Sequence, residues 1–180
     1  MRERMLAGDL YRADAELAAE HARAMALLES FNATPHASAA ERRTLLTELL
    51  GSYGEGAVIR PPFHCDYGYR ITVGAGTFAN FGLVALDVAP IAIGDHVQLG
   101  PNVQLLTPTH PLDAATRRAG WEAGEPITIG DNVWLGGGVI VCPGVTIGAD
   151  TVVGAGAVVT RDLPPNVLAV GNPARVVRDL

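Results

Sequence analysis

The sequence predicts a mainly β chain, a parallel β-helix of hexapeptide repeats with an N-terminal helical segment and an extruded loop, on three observations. Between Ile127 and Arg161, bulky apolar residues recur at an interval of six, at Ile129, Leu135, Val141, Ile147, Val153 and Val159. Glycine follows four of them, as Gly130, Gly136, Gly148 and Gly154. A small or β-branched residue falls four positions later, at Val133, Val139, Val145, Thr151 and Ala157. An α-helix turns about 100° per residue, so positions six apart scatter around its axis and give no apolar face. A long strand fits an even spacing but does not survive a glycine in nearly every block. Short strands joined by corners satisfy both, with Gly, Asn and Asp supplying permissive corner backbone, and three blocks closing one triangular coil.

From the N terminus, residues 1–57 read as a helical segment. Glu3 to Asn32 is rich in Ala, Leu, Glu and Arg, with Leu17, Met25 and Leu28 spaced for one helical face and Asp14 as N-cap. A second helix opens on Ser38-x-x-Glu41, the spacing of a capping box, and stops at Gly51. This pair is expected to pack against the β body.

Residues 58–163 carry the β-helix, entered through Pro61-Pro62 and His64-Cys65-Asp66-Tyr67-Gly68-Tyr69. The phase runs through Val73-Gly74, Ala79-Asn80, Ile93-Gly94 and Leu99-Gly100, with Val97 and Val103 in the small slots. Between Asn80 and Ile93 it slips by two residues, which a bulge or widened corner absorbs. Leu105 to Ile129 spans 24 residues, a multiple of six, yet Pro108, Pro111, Gly120, Gly124 and Pro126 with charges between them break the pattern. Residues 111–126 are therefore read as a loop extruded from the prism, and loops of that length are usually functional. Pro164-Pro165 halts the repeat and leaves 164–180 as a tail.

A net charge of −6 argues against a nucleic-acid or anionic-membrane surface, which needs a basic footprint. Two cysteines, Cys65 and Cys142, make no disulfide framework. No stretch has the length of a signal-peptide core or a membrane span, so a cytoplasmic protein is expected.

Thr107-Pro108-Thr109-His110-Pro111 puts a histidine where coil gives way to loop. Two readings fit it: a base poised near neutral pH, or a surface histidine beside a proline. Asn80 stands at a corner normally taken by Gly, either as a polar group near the same coils or as a turn Asn tolerating left-handed backbone. His64, His96 and His110 lie apart without a close pair, so no metal is expected.

Seven segments add a resemblance: Ala7-Gly8-x-Leu10-Tyr11, Cys65-Asp66-Tyr67-Gly68-Tyr69, Phe78-Ala79-Asn80-Phe81, Leu86-Asp87-Val88, Thr109-His110-Pro111, Pro143-Gly144-Val145-Thr146-Ile147-Gly148 and Gly171-Asn172-Pro173-Ala174-Arg175. Through them nearly the whole chain resembles the sugar O-acetyltransferases of the maltose and galactoside acetyltransferase group. The resemblance implies a left-handed coil, although parallel crossovers are otherwise almost always right-handed. It also implies a homotrimer with active sites between subunits, and acetyl-CoA as co-substrate.

On that resemblance His110 and Asn80 are the catalytic candidates, His110 as general base and the Gly137 backbone N–H as oxyanion donor. Asp14, Asp66 and Asn80 match acceptor-binding positions. Galactoside relatives carry an aspartate where Val88 stands, so Asp87 is expected to substitute for it. Ala155, Thr160, Arg161, Arg175 and Arg178 match CoA-contacting positions, the arginines suiting phosphate oxygens. Trp134 either lines the channel for pantetheine or adenine, or sits at a subunit contact. Glu122 either orients His110 or is a solvated loop acid. The expected function is acetyl transfer to a glucose or maltose hydroxyl, galactosides being possible. The alternatives are a non-catalytic trimeric scaffold or an acetyltransferase for another hydroxyl acceptor.

Overall fold

The computed structural model describes residues 1–36 and 38–180. Strands of two to four residues wind into a prism whose three faces are parallel sheets. The first sheet stacks Ser52–Tyr53, Ile71–Val73, Ile91–Ile93, Ile127–Ile129 and Thr146–Ile147. The second stacks Val58–Ile59, Phe78–Ala79, Gln98–Leu99, Trp134–Leu135, Val152–Val153 and Val167–Val170, with Arg175–Asp179 added antiparallel at its edge. The third stacks Phe63–Cys65, Leu83–Leu86, Gln104–Leu106, Ile140–Val141 and Val158–Val159. Each strand pairs with its counterpart one coil on: Ile129 faces Ile147, Leu135 faces Val153 and Val141 faces Val159.

That register sends the six-residue columns inward. All six bulky positions from Ile129 to Val159 are buried, as are Val133, Val139, Val145, Thr151 and Ala157 in the small slots. The glycines after the bulky residues serve a different purpose from the one the sequence suggests. None of Gly130, Gly136, Gly148 and Gly154 has positive φ. Left-handed backbone falls instead at Asn132, Asp150, Gly138 and Gly156, with φ of 55°, 61°, 70° and 72°. What position 136 lacks is room, because a Cβ there would lie 2.5 Å from the Ala155 amide nitrogen of the next coil, and one at position 130 would lie 2.6 Å from that of Ala149.

The helical segment covers the first coil. Helix α1 spans Arg2–Ala7, α2 Ala15–Asn32 and α3 Ala39–Leu49. Asp14 caps α2 as expected, accepting from the Leu17 N–H at 3.1 Å. Ser38 precedes α3 but makes no side-chain cap bond, so the capping box does not form; Arg42 instead secures the inter-helix turn by donating to Thr34 Oγ1 at 2.7 Å. Leu28, Phe31, Leu46 and Leu49 are buried in the same core as the prism columns. Phe31 meets Phe63 edge-on at 6.4 Å. Asn32 locks this seam by donating to the Phe63 carbonyl and accepting its N–H, both at 2.9 Å.

The phase slip is a widened corner at Asp87–Pro90, where Asp87, Val88 and Ala89 are all buried. The extruded stretch is not structureless. Pro108–Thr109 pairs antiparallel with Ala123–Gly124, and a short helix α4, Ala114–Arg118, is capped by Asp113 accepting from the Thr116 N–H at 2.7 Å.

Because Leu135 is fully buried in the central column, Leu135→Ala should lower unfolding stability by about 2–5 kcal/mol. Denaturant titration by circular dichroism measures it, and an unchanged midpoint would contradict a packed prism.

Candidate active site

The site grows from the point where the chain leaves the prism. Thr107 Oγ1 donates to the Leu86 carbonyl at 2.7 Å and accepts the Ala89 N–H at 3.0 Å, tying the widened corner to the root of the excursion. His110 follows the short ribbon directly and is exposed. On the return limb Glu122 exchanges both backbone hydrogen bonds with Tyr11, each at 2.9 Å. Next to it, the Trp121 ring lies under two guanidinium groups, Arg12 at 4.9 Å and Arg4 at 5.6 Å. Contacts of this kind contribute about 0.5–1 kcal/mol each at exposed positions, and they bind the N-terminal segment to the excursion.

Two cavities open along this seam, and His110, Glu122 and Ala13 line both. The outer, of about 680 Å³, is bordered by Met1, Arg12, Asp14 and Arg117. The inner, of about 480 Å³, has Tyr11, His21, Asp66 and Tyr67 around it and Leu86, Val88 and Leu17 as apolar wall. His110 and the acids Asp14, Asp66 and Glu122 are thus brought together from distant parts of the chain.

The carboxylates differ in state. Asp66 is pushed up to about 6, mainly by burial and then by the nearby Asp87 and Glu122. Asp14 is held below the usual carboxylate range by the Leu17 N–H and by the terminal ammonium, which lies 3.0 Å from it. Asp87 corrects an expectation. It is fully buried and lines neither cavity, and its carboxylate accepts the N–H groups of Asp66, Tyr67 and Arg70 at 3.0, 2.8 and 3.3 Å. It holds the 66–70 turn and is not free to replace the acid absent at Val88, which is itself apolar wall.

The remaining candidates lie elsewhere. Asn80 follows a second-sheet strand, at the edge shared with the third sheet. Its Oδ1 accepts the Phe81 N–H at 2.9 Å and Arg60 Nη1 at 3.4 Å, and its amide NH₂ donates to nothing among the described residues. Gly137 and Ala155 stack on that same edge. Among the described residues the Gly137 N–H donates no hydrogen bond, whereas those of Gly136 and Gly138 go to Val153 and Pro101. Thr160 and Arg161 are exposed at the opposite edge of the third sheet, the edge from which the excursion departs. Trp134 stands 55% exposed on the outer face of the second sheet, two strands from Leu168, whose antiparallel partner is Arg178. Arg175 is exposed on that terminal strand. None of these eight lines either cavity.

Sequence reasoning assigned no role to Tyr11, His21, Tyr67, Arg12 or Arg117. The Tyr11 hydroxyl is buried with no hydrogen-bond partner among the described residues, and leaving such a group unsatisfied costs about 1–3 kcal/mol. Its position beside Glu122 depends on a pairing across more than a hundred residues, which no local pattern announces.

Among known proteins, residues 4–54 match the maltose acetyltransferase hexapeptide capping motif and residues 126–161 the bacterial transferase hexapeptide of six repeats. Nodulation protein L of Rhizobium meliloti (strain 1021) is 52% identical over 97% of this chain and 96% of its own. Galactoside O-acetyltransferase of Escherichia coli (strain K12) is 41% identical over 100% of this chain and 89% of its own. The crystal structure of a maltose O-acetyltransferase from Clostridium difficile 630 superposes with a TM-score of 0.98 at 48% identity, covering 99% of this chain and 96% of that one. A hexapeptide-repeat acetyltransferase from Vibrio cholerae, solved with acetyl coenzyme A, gives 0.92 at 45% identity, covering 99% and 97%.

The raised Asp66 generates a pH-dependent prediction. Its folded state holds a proton more tightly than the unfolded chain does, so its contribution is full below about pH 4 and is lost as pH rises through about 6. Asp66→Asn should match wild-type stability near pH 4 and exceed it by roughly 1–2 kcal/mol at pH 8, discounted for solvent access. Urea titrations at both pH values that give one constant difference would show that Asp66 is not the titrating group.

Proposed function

Since this chain belongs to the hexapeptide-repeat acetyltransferases that carry the maltose acetyltransferase capping motif, we propose that it moves an acetyl group from acetyl-CoA to a hydroxyl of a neutral sugar of the glucose or maltose type. The observation that carries this reading is the position of His110, on the rim shared by two cavities that also hold the carboxylates of Asp14, Asp66 and Glu122. Carboxylates accept from sugar hydroxyls and repel anionic sugars. The Escherichia coli and Clostridium relatives, by name, acetylate sugars, and the Vibrio relative binds acetyl-CoA.

In this mechanism a sugar hydroxyl oxygen attacks the thioester carbonyl carbon while the His110 imidazole takes its proton. The C=O electron pair becomes an oxyanion, which the free Gly137 N–H is suited to receive. Collapse breaks the C–S bond, and the imidazolium returns the proton to the departing CoA sulfur. Asn80, whose Oδ1 is already engaged, has its amide NH₂ to donate to either reactant. Ala155, Thr160, Arg161, Arg175, Arg178 and the exposed Trp134 are the proposed CoA contacts, and Asp14 and Asp66 the acceptor contacts.

His110 and Asn80 leave the prism at opposite edges of the third sheet. A closed C₃ trimer brings one edge of each subunit against the other edge of its neighbour, which supports an active site built between two chains.

Two experiments test this. His110→Ala should lower kcat by about 10² or more while leaving acetyl-CoA affinity nearly intact, read from thiol release with glucose and maltose as acceptors; near-wild-type turnover would remove His110 from the mechanism. Co-expression of inactive His110→Ala and Asn80→Ala chains should restore up to roughly a quarter of wild-type activity, because random C₃ mixing pairs an intact His110 with an intact Asn80 at that frequency. Mixed oligomers without activity, or a monomeric mass by light scattering, would rule out the shared site.

A further inference from the structure

We propose that the Tyr11 hydroxyl is an acceptor-reading group, which hydrogen-bonds one hydroxyl of the sugar seated in the inner cavity, opposite Asp66. The inference rests on the sugar acetyltransferase reading above and extends it to a residue with no role assigned so far.

Four observations converge. Tyr11 is 1% exposed, and its Oη is the one buried side-chain polar atom without a hydrogen-bond partner among the described residues. The residue lines the inner cavity together with Asp66, Glu122 and His110. Its ring body is packed among Met5, Leu17, Tyr67 and Val88. Its backbone is clamped in both directions to Glu122. The side chain is therefore held in place beside the cavity and cannot swing away to find a partner. Burial, and then the nearby Glu122 carboxylate, disfavour phenolate.

The chemistry fits a hydroxyl ligand. A phenol that stays protonated offers one donor, and an ionised carboxylate offers acceptors only. A sugar hydroxyl has one donor and two lone pairs, so it can accept from Tyr11 and donate to Asp66 at once. The Tyr11 hydroxyl, unpaired among the described residues, gains a partner when the sugar binds. Leu86 and Val88 then supply apolar surface for the ring C–H groups.

Tyr11→Phe removes one oxygen and keeps the packing. With the preferred neutral hexose, the variant should show KM for the sugar raised about tenfold and KM for acetyl-CoA within about twofold of wild type. Its Tm should stay within about 2 °C, since the hydroxyl has no internal partner to lose. The 2-, 3-, 4- and 6-deoxy derivatives of that hexose identify the contact. One of them, other than the one lacking the acetylated hydroxyl, should lose about tenfold in kcat/KM with wild type and show no further loss with Tyr11→Phe. Losses that simply add for every deoxy sugar, an unchanged sugar KM, or a Tm fall of about 5 °C or more would each overturn the proposal. A wild type that acetylates no neutral sugar defeats the sugar reading and this inference with it. A wild type that does, beside an uncoupled Tyr11→Phe, defeats this inference alone.

Discussion

Successive coils of a β-helix must stack at the strand separation of about 4.8 Å, and the organisation of this chain follows from that spacing. Inward columns have to fill a triangular section of constant size, hence one bulky and one small residue in each six. Corners have to pass within touching distance, hence glycine where a Cβ would sit 2.5 Å from the next backbone nitrogen. Where the chain departs from the count, at Asp87–Pro90 and after Thr107, ladder hydrogen bonds are lost and polar side chains replace them. Asp87 gathers three N–H groups and Thr107 bridges Leu86 to Ala89. The cavities open beside these two departures.

The columns, the Asp14 cap and the place of the excursion were legible because each is a local pattern: a period, a capping residue, a break in phase. The role of the corner glycines was not, since φ is a property of one residue but close approach depends on which coil lies above it. Helix α4 escaped notice because an Asp113-x-x-Thr116 cap amid Pro and Gly resembles any turn. Asp87 was misjudged because its sequence neighbour Val88 lines the cavity, whereas the Asp87 carboxylate is taken up by the N–H groups of the 66–70 turn, which only folding brings to it. Tyr11 stood inside a motif but without a partner, because Glu122 and Asp66 come to it only through folding.

The electrostatic contrast within the seam follows from the same assembly. Asp14 lies at a helix start beside a positive terminus and is held below the usual carboxylate range; Asp66 lies between apolar walls and two other acids and is pushed up to about 6. One cavity system thus offers a fixed charge at its mouth and a protonation-sensitive group further in, with an imidazole between them. Two such environments on one surface suit a reaction that must hold a polyhydroxylated ligand and move a single proton.

A solenoid of parallel strands has two open ends, each a row of unpaired N–H and C=O groups able to template another chain. Here the chain itself covers part of each. At one end α2 and α3 lie over the first coil, sealed by Phe31 and the reciprocal Asn32 clamp. At the other, the chain reverses after Val170 and lays Arg175–Asp179 antiparallel on the second sheet, with Arg175, Arg178 and Asp179 exposed. A strand of opposite polarity cannot continue a parallel register, and its charges disfavour a newcomer. End-to-end stacking of prisms is therefore disfavoured where the second sheet ends in this antiparallel strand.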